Sequence, residues 1–279
     1  FQKGVTHRRS DDASAPSWWF EPMYTTWGDQ VYHSRVAVGD DHLCWSFVNE
    51  RQVDQWIAVL ESRGIPVKTV VLDAGWALGS PEWLVDTAKW PDLRGWIERQ
   101  HAQGRRVLLW IAPYWGSGEF GEPFPGFYLR DLFGGYVQAA SFPAPLLDFS
   151  NPAVRTWFAD RLRYMLSAEP GALNADGLKI DFYYDRPDPR SRPFDRDWGM
   201  GEQYSLNTLE WIYQAAKAFN PEALITMSAA NPFFNGSNDL VRVNDNWQQG
   251  NAFSVWRKRA TAVIQAGGNV MDSDDWIGY

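Results

Sequence analysis

The stretch Gly177-Leu178-Lys179-Ile180-Asp181 decides the fold, because it completes a helix-to-strand unit that recurs along the chain. Apolar residues at helical spacing over 154–165 precede it and predict a helix. We predict a strand over 178–182. Successive side chains of a strand point to opposite faces, so Lys179 and Asp181 should share one face. Helices that alternate with strands in this way are typical of parallel βα units.

Segments of the same two kinds extend in both directions from this unit. Six more strands are predicted, at 18–26, 67–72, 106–112, 223–228, 240–244 and from Val270 onward. Helices are predicted after Asn49, with Gln52 completing a capping box, over 93–104, after Asn151 with Pro152 at the first helical position, and over 203–219 and 253–266.

The strand count predicts the fold class, an α/β protein of the TIM (β/α)8-type barrel, truncated after strand seven. Residues 1–17 form an irregular N-terminal segment, and residues 18–279 form the barrel. A complete barrel has eight strands, so a sequence that stops at Tyr279 is either a piece of a longer protein, which we favour, or forms a barrel that is closed in some other way.

Bulk composition excludes several classes of protein. The chain of 279 residues carries a net charge of −8 and has no clustered basic face, so no nucleic-acid partner is expected. No apolar run is long enough to span a bilayer, so no membrane partner is expected. The single cysteine, Cys44, precludes an intrachain disulfide and leans towards a cytoplasmic location. The compartment and the oligomeric state both stay open.

Tryptophan is unusually abundant, with 17 residues in the chain. Each indole N–H needs a partner when buried, so tryptophan is a demanding core residue. We expect most of these rings in the core and a minority at a site that binds sugars, whose C–H faces stack on aromatic rings.

Carboxylates follow several of the predicted strands. Asp73, Asp181 and Asp245 end the second, fourth and sixth strands, and acids at 272–275 follow the seventh. Barrel enzymes place their active sites at these strand ends. Glycoside hydrolysis needs two carboxyl groups around an oxocarbenium-like transition state. We predict Asp181 as the nucleophile, beside the Lys179 ammonium, and Asp245 as the acid/base.

Other chemistries fit the sequence less well. A single aspartate after a strand is usually a cap or loop residue, and only the ordered set favours catalysis. The four histidines have no ligand spacing, and no dinucleotide-binding or metalloprotease motif occurs, so no cofactor and no metal is expected. The acids at 272–275 form a less favoured alternative, a cation site.

The ordered motifs resemble glycoside hydrolase family 31 and its clan relatives, families 36 and 27. The resemblance extends over about 18–279. It is carried by Val71-Leu72-Asp73-Ala74-Gly75-Trp76, Leu109-Trp110-Ile111-Ala112-Pro113, Leu147-Asp148-Phe149-Ser150-Asn151-Pro152, Lys179-Ile180-Asp181-Phe182, Val243-Asn244-Asp245-Asn246 and Asp275-Trp276-Ile277-Gly278-Tyr279.

This resemblance implies a retaining, exo-acting α-glycosidase that acts on an oligosaccharide or glycoside. The substrate-binding residues that it implies are Asp73, Trp76, Trp110, Lys179, Arg242, Trp247 and Asp275. The Lys-x-Asp form of the nucleophile motif is closer to α-xylosidase and α-galactosidase branches than to α-glucosidases.

Two other functions remain open at this point. A transglycosidase would use the same residues with a sugar in place of water. A non-catalytic carbohydrate-binding barrel would keep the tryptophans and could lose an acid. The identity of the sugar depends on two long loops, 114–148 and 183–200, which the sequence alone does not fold.

Overall fold

The computed structural model of the chain describes residues 15–116, 126–228 and 231–242, together with 257, 260–261 and 270–271. The described strands are β1 (Met23–Thr25), β2 (Thr69–Leu72), β3 (Arg106–Ile111), β4 (Arg130–Asp131), β5 (Gly177–Ile180), β6 (Ser191–Arg192), β7 (Leu224–Met227), β8 (Leu240–Arg242) and β9 (Val270–Met271). The α-helices are α1 (Trp27–Val38), α2 (Glu50–Ser62), α3 (Leu93–Ala102), α4 (Pro152–Leu166) and α5 (Glu202–Phe219).

Seven strands form one parallel sheet in the order β1-β2-β3-β5-β7-β8-β9, which is also their order along the chain. In the centre, Trp110 of β3 pairs with Lys179 of β5, which in turn pairs with Thr226 of β7. Neighbouring parallel strands in chain order are the arrangement of a βα barrel. The carboxyl ends of these strands therefore meet along a single edge of the sheet.

The predicted helix starts at Asn49 and Asn151 are confirmed. The Asn49 side chain accepts a hydrogen bond from the Gln52 backbone N at 3.1 Å, and the Asn151 side chain accepts one from Ala153 N at 2.9 Å. Each bond satisfies one backbone N–H that the first turn of a helix leaves without a partner. Among the described residues, no helix is both long and apolar enough to cross a membrane.

The first strand and first helix differ from the prediction. The predicted strand 18–26 is a 3-10 helix over Ser17–Phe20 followed by the three-residue strand β1. Helix α1 was not predicted at all. Its buried positions are Gly28, Gln30, Val31 and Ser34, so only one of them is a large apolar residue. The apolar periodicity that identifies a surface helix is therefore missing.

The two long loops pair with each other. Strand β4 from the first loop and strand β6 from the second form a short antiparallel sheet, with Arg130 opposite Arg192 and Asp131 opposite Ser191. This pair lies outside the parallel sheet. It joins segments that are about 60 residues apart in sequence, so the loops form one connected layer next to the carboxyl ends of the strands.

The core lies between the sheet and the helices and is rich in tryptophan. Strands β2, β5 and β7 are buried at every position, as expected for strands covered on both faces. The buried tryptophans are Trp19, Trp56, Trp76, Trp83, Trp90, Trp96, Trp110 and Trp115. Most of the described tryptophans thus belong to the core, as the sequence predicted.

Candidate active site

Asp181 lies at the carboxyl end of β5, in the middle of the parallel sheet. Its backbone N donates to Ile111 O of β3 at 2.9 Å, which continues the sheet pairing to the last residue before the loop. The Asp181 side chain is 19% exposed, so a ligand at the edge of the sheet can reach the carboxylate.

Within the described part of the chain, three groups lie next to the Asp181 carboxylate. Oδ2 accepts a hydrogen bond from Trp110 Nε1 at 3.1 Å, and Oδ1 accepts one from Phe182 N at 3.0 Å. The Arg242 guanidinium, at the end of β8, lies 3.5 Å from Oδ1. The two N–H donors fix the plane of the carboxylate, and Arg242 places a positive charge beside it. An oriented anion of this kind can stabilise or attack a cationic carbon.

Asp73 and Lys179 form a buried ion pair next to Asp181. Lys179 Nζ lies 2.6 Å from Asp73 Oδ2, and both side chains are almost fully buried. Thr25 Oγ1 donates to the same oxygen at 3.3 Å, and Ala74 N donates to Oδ1 at 2.8 Å. The Lys179 ammonium, predicted to lie beside Asp181, pairs with Asp73, and among the described residues the guanidinium of Arg242 lies beside Asp181.

Trp110 and Trp76, which were both predicted to bind substrate, lie at different distances from Asp181. Trp110 contacts Asp181 directly and is 5% exposed. Trp76 has no exposed surface, and its Nε1 donates to the Trp110 backbone O at 2.9 Å. The ring of Trp76 stacks on Trp83, which packs edge-on against Trp110. In this arrangement Trp76 supports Trp110 from behind and presents no face to a ligand.

An aromatic wall formed by Trp115, Phe142 and Phe182 lies beside Asp181. Trp115 lies in the middle of this wall. Its ring centroid is 4.4 Å from that of Phe182 on one side, and Phe142 stacks on it at 4.9 Å. Phe182 has a φ of 50°, in the left-handed region. A non-glycine residue in this conformation is strained by about 1–3 kcal/mol and persists only where its surroundings hold it.

Sequence reasoning missed Thr25 and Asp185. Thr25 contacts Asp73 across 48 residues of sequence, and Asp185 bonds to Trp115 across 70 residues. Neither residue belongs to a recognised motif. The one feature of the sequence that could have indicated Asp185 is that it is another acid in the loop after β5.

Three predicted site residues, Asp245, Trp247 and Asp275, lie outside the described residues, as do the other acids at 272–275. Among the residues that are described, no group of three or more His, Cys, Asp or Glu side chains is arranged to hold a metal ion.

Residues 31–258 match the profile of the glycosyl hydrolases family 31 TIM-barrel domain. This match spans most of the chain and confirms the predicted fold class. Among curated proteins, an α-xylosidase of Emericella nidulans is 26% identical over 160 residues, covering 50% of this chain and 20% of that protein. Alpha-xylosidase XylQ of Lactiplantibacillus pentosus is 28% identical over 145 residues, covering 48% and 18%. The chain spans about a fifth of the length of these relatives.

Solved structures share the same fold. A cycloalternan-forming enzyme of Listeria monocytogenes, in complex with a pentasaccharide substrate, superposes with a TM-score of 0.67 at 18% identity, covering 90% of this chain and 25% of that chain. A cycloalternan-degrading enzyme of Trueperella pyogenes, in complex with a covalent intermediate, has a TM-score of 0.66 at 19% identity, covering 96% and 38%. At these identities the similarity is one of architecture.

Proposed function

Because the chain belongs to glycoside hydrolase family 31, we propose that it forms the catalytic barrel of a retaining, exo-acting α-glycosidase. The family that the sequence motifs predicted is thus confirmed. The observation that carries the proposal is the geometry of Asp181, a partly exposed carboxylate at a central strand end, oriented by Trp110 and Phe182 and faced by Arg242. In this proposal Asp181 is the nucleophile and Asp245 is the acid/base.

The first step forms a covalent glycosyl-enzyme. A carboxylate oxygen of Asp181 attacks the anomeric carbon, the bond from that carbon to the leaving-group oxygen breaks, and the Asp245 carboxylic acid donates its proton to that oxygen. In the second step Asp245 takes a proton from water, the water oxygen attacks the anomeric carbon, and the ester bond to Asp181 breaks. Two inversions return the α configuration.

The described neighbours of Asp181 support specific roles in this reaction. The N–H bonds from Trp110 and Phe182 hold the carboxylate in one orientation before attack, which lowers the reorganisation that the reaction requires. Asp73, Lys179 and Arg242 supply charged hydrogen-bonding groups for the hydroxyls of the terminal sugar. Trp110 supplies an indole edge beside the anomeric carbon.

α-Xylosides are the first substrates to test. Two curated relatives that match about half of the chain are α-xylosidases, and the Lys-x-Asp motif of this chain is closer to that branch. A panel of 4-nitrophenyl α-xyloside, α-glucoside, α-galactoside and sulfoquinovoside would identify the preferred sugar from the relative kcat/KM values.

Asp181→Asn tests the nucleophile. The amide keeps the size of the side chain but cannot form the glycosyl ester, so kcat/KM should fall by at least about 10³-fold, as for other essential nucleophiles. Asp188→Asn is the matched control, because Asp188 lies in the following loop and bonds only to Arg190 and Ser191 among the described residues. An Asp181→Asn protein that hydrolyses the panel as fast as the parent would refute the nucleophile assignment.

The anomeric configuration of the first product tests retention. A nucleophile and an acid/base about 5–5.5 Å apart give net retention, so NMR of the early reaction should show the α-anomer before mutarotation. Asp245→Asn should slow both steps, and it should slow hydrolysis of substrates with poor leaving groups more than that of nitrophenyl glycosides. A β-anomer as the first product would contradict a double displacement.

A further inference from the structure

Asp185 is a buried carboxylate that lies four residues after Asp181. It is 1% exposed, and its oxygens accept four hydrogen bonds. The donors are Trp115 Nε1 at 2.7 Å, the backbone N of Ala140 at 3.0 Å and of Ser141 at 3.3 Å, and the Ser141 hydroxyl. A buried charge is tolerated only when hydrogen bonds replace its hydration, and here two separate segments of the first long loop provide them.

These bonds connect Asp185 to Phe182 in two ways. The Asp185 backbone N donates to Phe182 O at 3.1 Å and closes the turn that follows the strand. The Asp185 carboxylate also holds the Trp115 indole, whose ring lies 4.4 Å from that of Phe182. Phe182 is thus held at its backbone and at its ring.

Phe182 connects this network to the reacting carboxylate. Its backbone N donates to Asp181 Oδ1, and its ring packs edge-on against Trp110, whose indole N–H donates to Asp181 Oδ2. A strained φ relaxes when the contacts that enforce it are removed. A change in φ moves the Phe182 ring, so loss of the Asp185 bonds would shift this ring and, with it, the Trp110 indole that orients Asp181.

We propose that Asp185 is a positioning residue that fixes the aromatic wall and, through Phe182, the orientation of Asp181. This inference rests on the function proposed above. In this proposal Asp185 does not contact the substrate. It determines the orientation of Asp181, which attacks the substrate.

Asp148 provides a matched control. It is also a buried carboxylate that accepts four hydrogen bonds and joins the same two loops, through Ser150 N and Oγ, Tyr204 OH and Phe194 N. None of these donors belongs to the aromatic wall or contacts Asp181. Asp148→Asn should therefore destabilise the fold much as Asp185→Asn does, without changing the nucleophile.

The kinetic test compares kcat and KM of the two variants well below their unfolding temperatures. Asp185→Asn should lower kcat about 10- to 100-fold with little change in KM, because misplacement of a nucleophile acts on the chemical step. Asp148→Asn should stay within about threefold of the parent. Equal losses in both variants would reduce Asp185 to a structural residue and overturn the proposal.

Trp115→Phe tests the path of the effect. This change removes the indole N–H and keeps an aromatic ring beside Phe182. If Asp185 acts through Trp115, the double variant with Asp185→Asn should lose about as much kcat as Asp185→Asn alone, since coupled residues are not additive. Independent, multiplicative losses would overturn this path.

A measurement without substrate separates this inference from the proposed function. In ¹⁵N-tryptophan-labelled protein, the Trp110 indole N–H, assigned with Trp110→Phe, reports on its bond to Asp181 and on the nearby Phe182 ring. Its resonance should move in Asp185→Asn and stay in place in Asp148→Asn. An unmoved Trp110 signal would overturn the proposal, whereas a parent protein that cleaves no glycoside would refute the function alone.

Discussion

The ion pair between Lys179 and Asp73 is a residue-scale feature with consequences for both folding and binding. The two charges lie 2.6 Å apart with almost no exposed surface, and Thr25 and Ala74 also donate hydrogen bonds to the carboxylate. Taking two charges out of water is unfavourable, and their attraction only offsets that penalty when the geometry is good. The pair is therefore better explained by the position it gives two polar groups near Asp181 than by net stability.

Lys179→Met should destabilise the protein by about 3–5 kcal/mol, because it leaves the Asp73 carboxylate buried without its cation. Adding Asp73→Asn should recover part of this loss in the double variant, since no uncompensated charge remains. Urea unfolding of the single and double variants measures both effects.

Arg190→Met serves as the control for this prediction. Arg190 lies 2.7 Å from Asp188 in an ion pair on the surface, where solvent screens the attraction, so the unfolding midpoint should hardly move. If the double variant is no more stable than Lys179→Met alone, the loss of stability in Lys179→Met does not come from an unpaired Asp73 charge, and the prediction is wrong. All variants at Lys179 or Asp73 should lose activity, whatever their stability.

Strand β5 carries Lys179 and ends directly before Asp181, and its first residue, Gly177, packs against the backbone of β7. A Cβ added to Gly177 would lie 2.1 Å from Leu224 O and 2.8 Å from Leu224 N, both backbone atoms of β7. Backbone atoms within a parallel sheet cannot move aside without loss of pairing. Only glycine therefore fits at the start of this strand.

Gly177→Ala should destabilise the protein by at least about 2 kcal/mol, since an overpacked site must separate β5 from β7. Gly135→Ala is the control, because the added Cβ would approach only a side-chain atom, the Asp131 Oδ2 at 3.0 Å, and Gly135 itself is exposed. Thermal unfolding should show a clear fall in Tm for the first variant and almost none for the second. Equal Tm values would contradict the packing shown by the sheet.

Two buried tyrosines make the stability of the whole molecule depend on pH in the alkaline range. Burial raises the pKa of Tyr114 from its ordinary value of 10.0 to about 12. Burial, together with the nearby negative charge of Asp148, raises the pKa of Tyr204 well above the ordinary value. Both phenols bind their protons more tightly in the folded state than in the unfolded state. Their contribution to stability is fully present below about pH 10 and is lost as the pH rises through 10 towards the folded values.

The free energy of unfolding should therefore fall steeply between about pH 10 and 12, and Tyr204→Phe should make that fall shallower. Tyr32→Phe, at a tyrosine whose side chain is largely exposed, is the control for the loss of a single hydroxyl. Phenolate absorbance and circular dichroism, followed together, check the mechanism. The buried tyrosines should ionise only as the protein unfolds, and ionisation within the folded protein would contradict it.

The local pattern of apolar and polar residues was sufficient to predict the parallel sheet and the candidate nucleophile. Strands such as β2 and β7 are short, mostly apolar runs. The caps at Asn49 and Asn151 bond to residues two or three positions away, so the information lies within a few residues. Asp73, Asp181 and Arg242 follow or end such strands, and parallel topology alone brings strand ends together. By contrast, helix α1 escaped prediction because its buried face is mostly small or polar.

The amino-acid sequence by itself determined the family, the strand order and the acids at the strand ends, since each depends on periodicity or on a contiguous motif. Only the tertiary structure decided which groups contact Asp181, that Lys179 pairs with Asp73, that Trp76 lies behind Trp110, and that Asp185 joins the long loops to the aromatic wall. Apart from the bond between the neighbours Phe182 and Asp181, these contacts form between residues 34 to 106 positions apart. No local preference encodes them, and they exist only once the strands have brought their ends to one edge of the sheet.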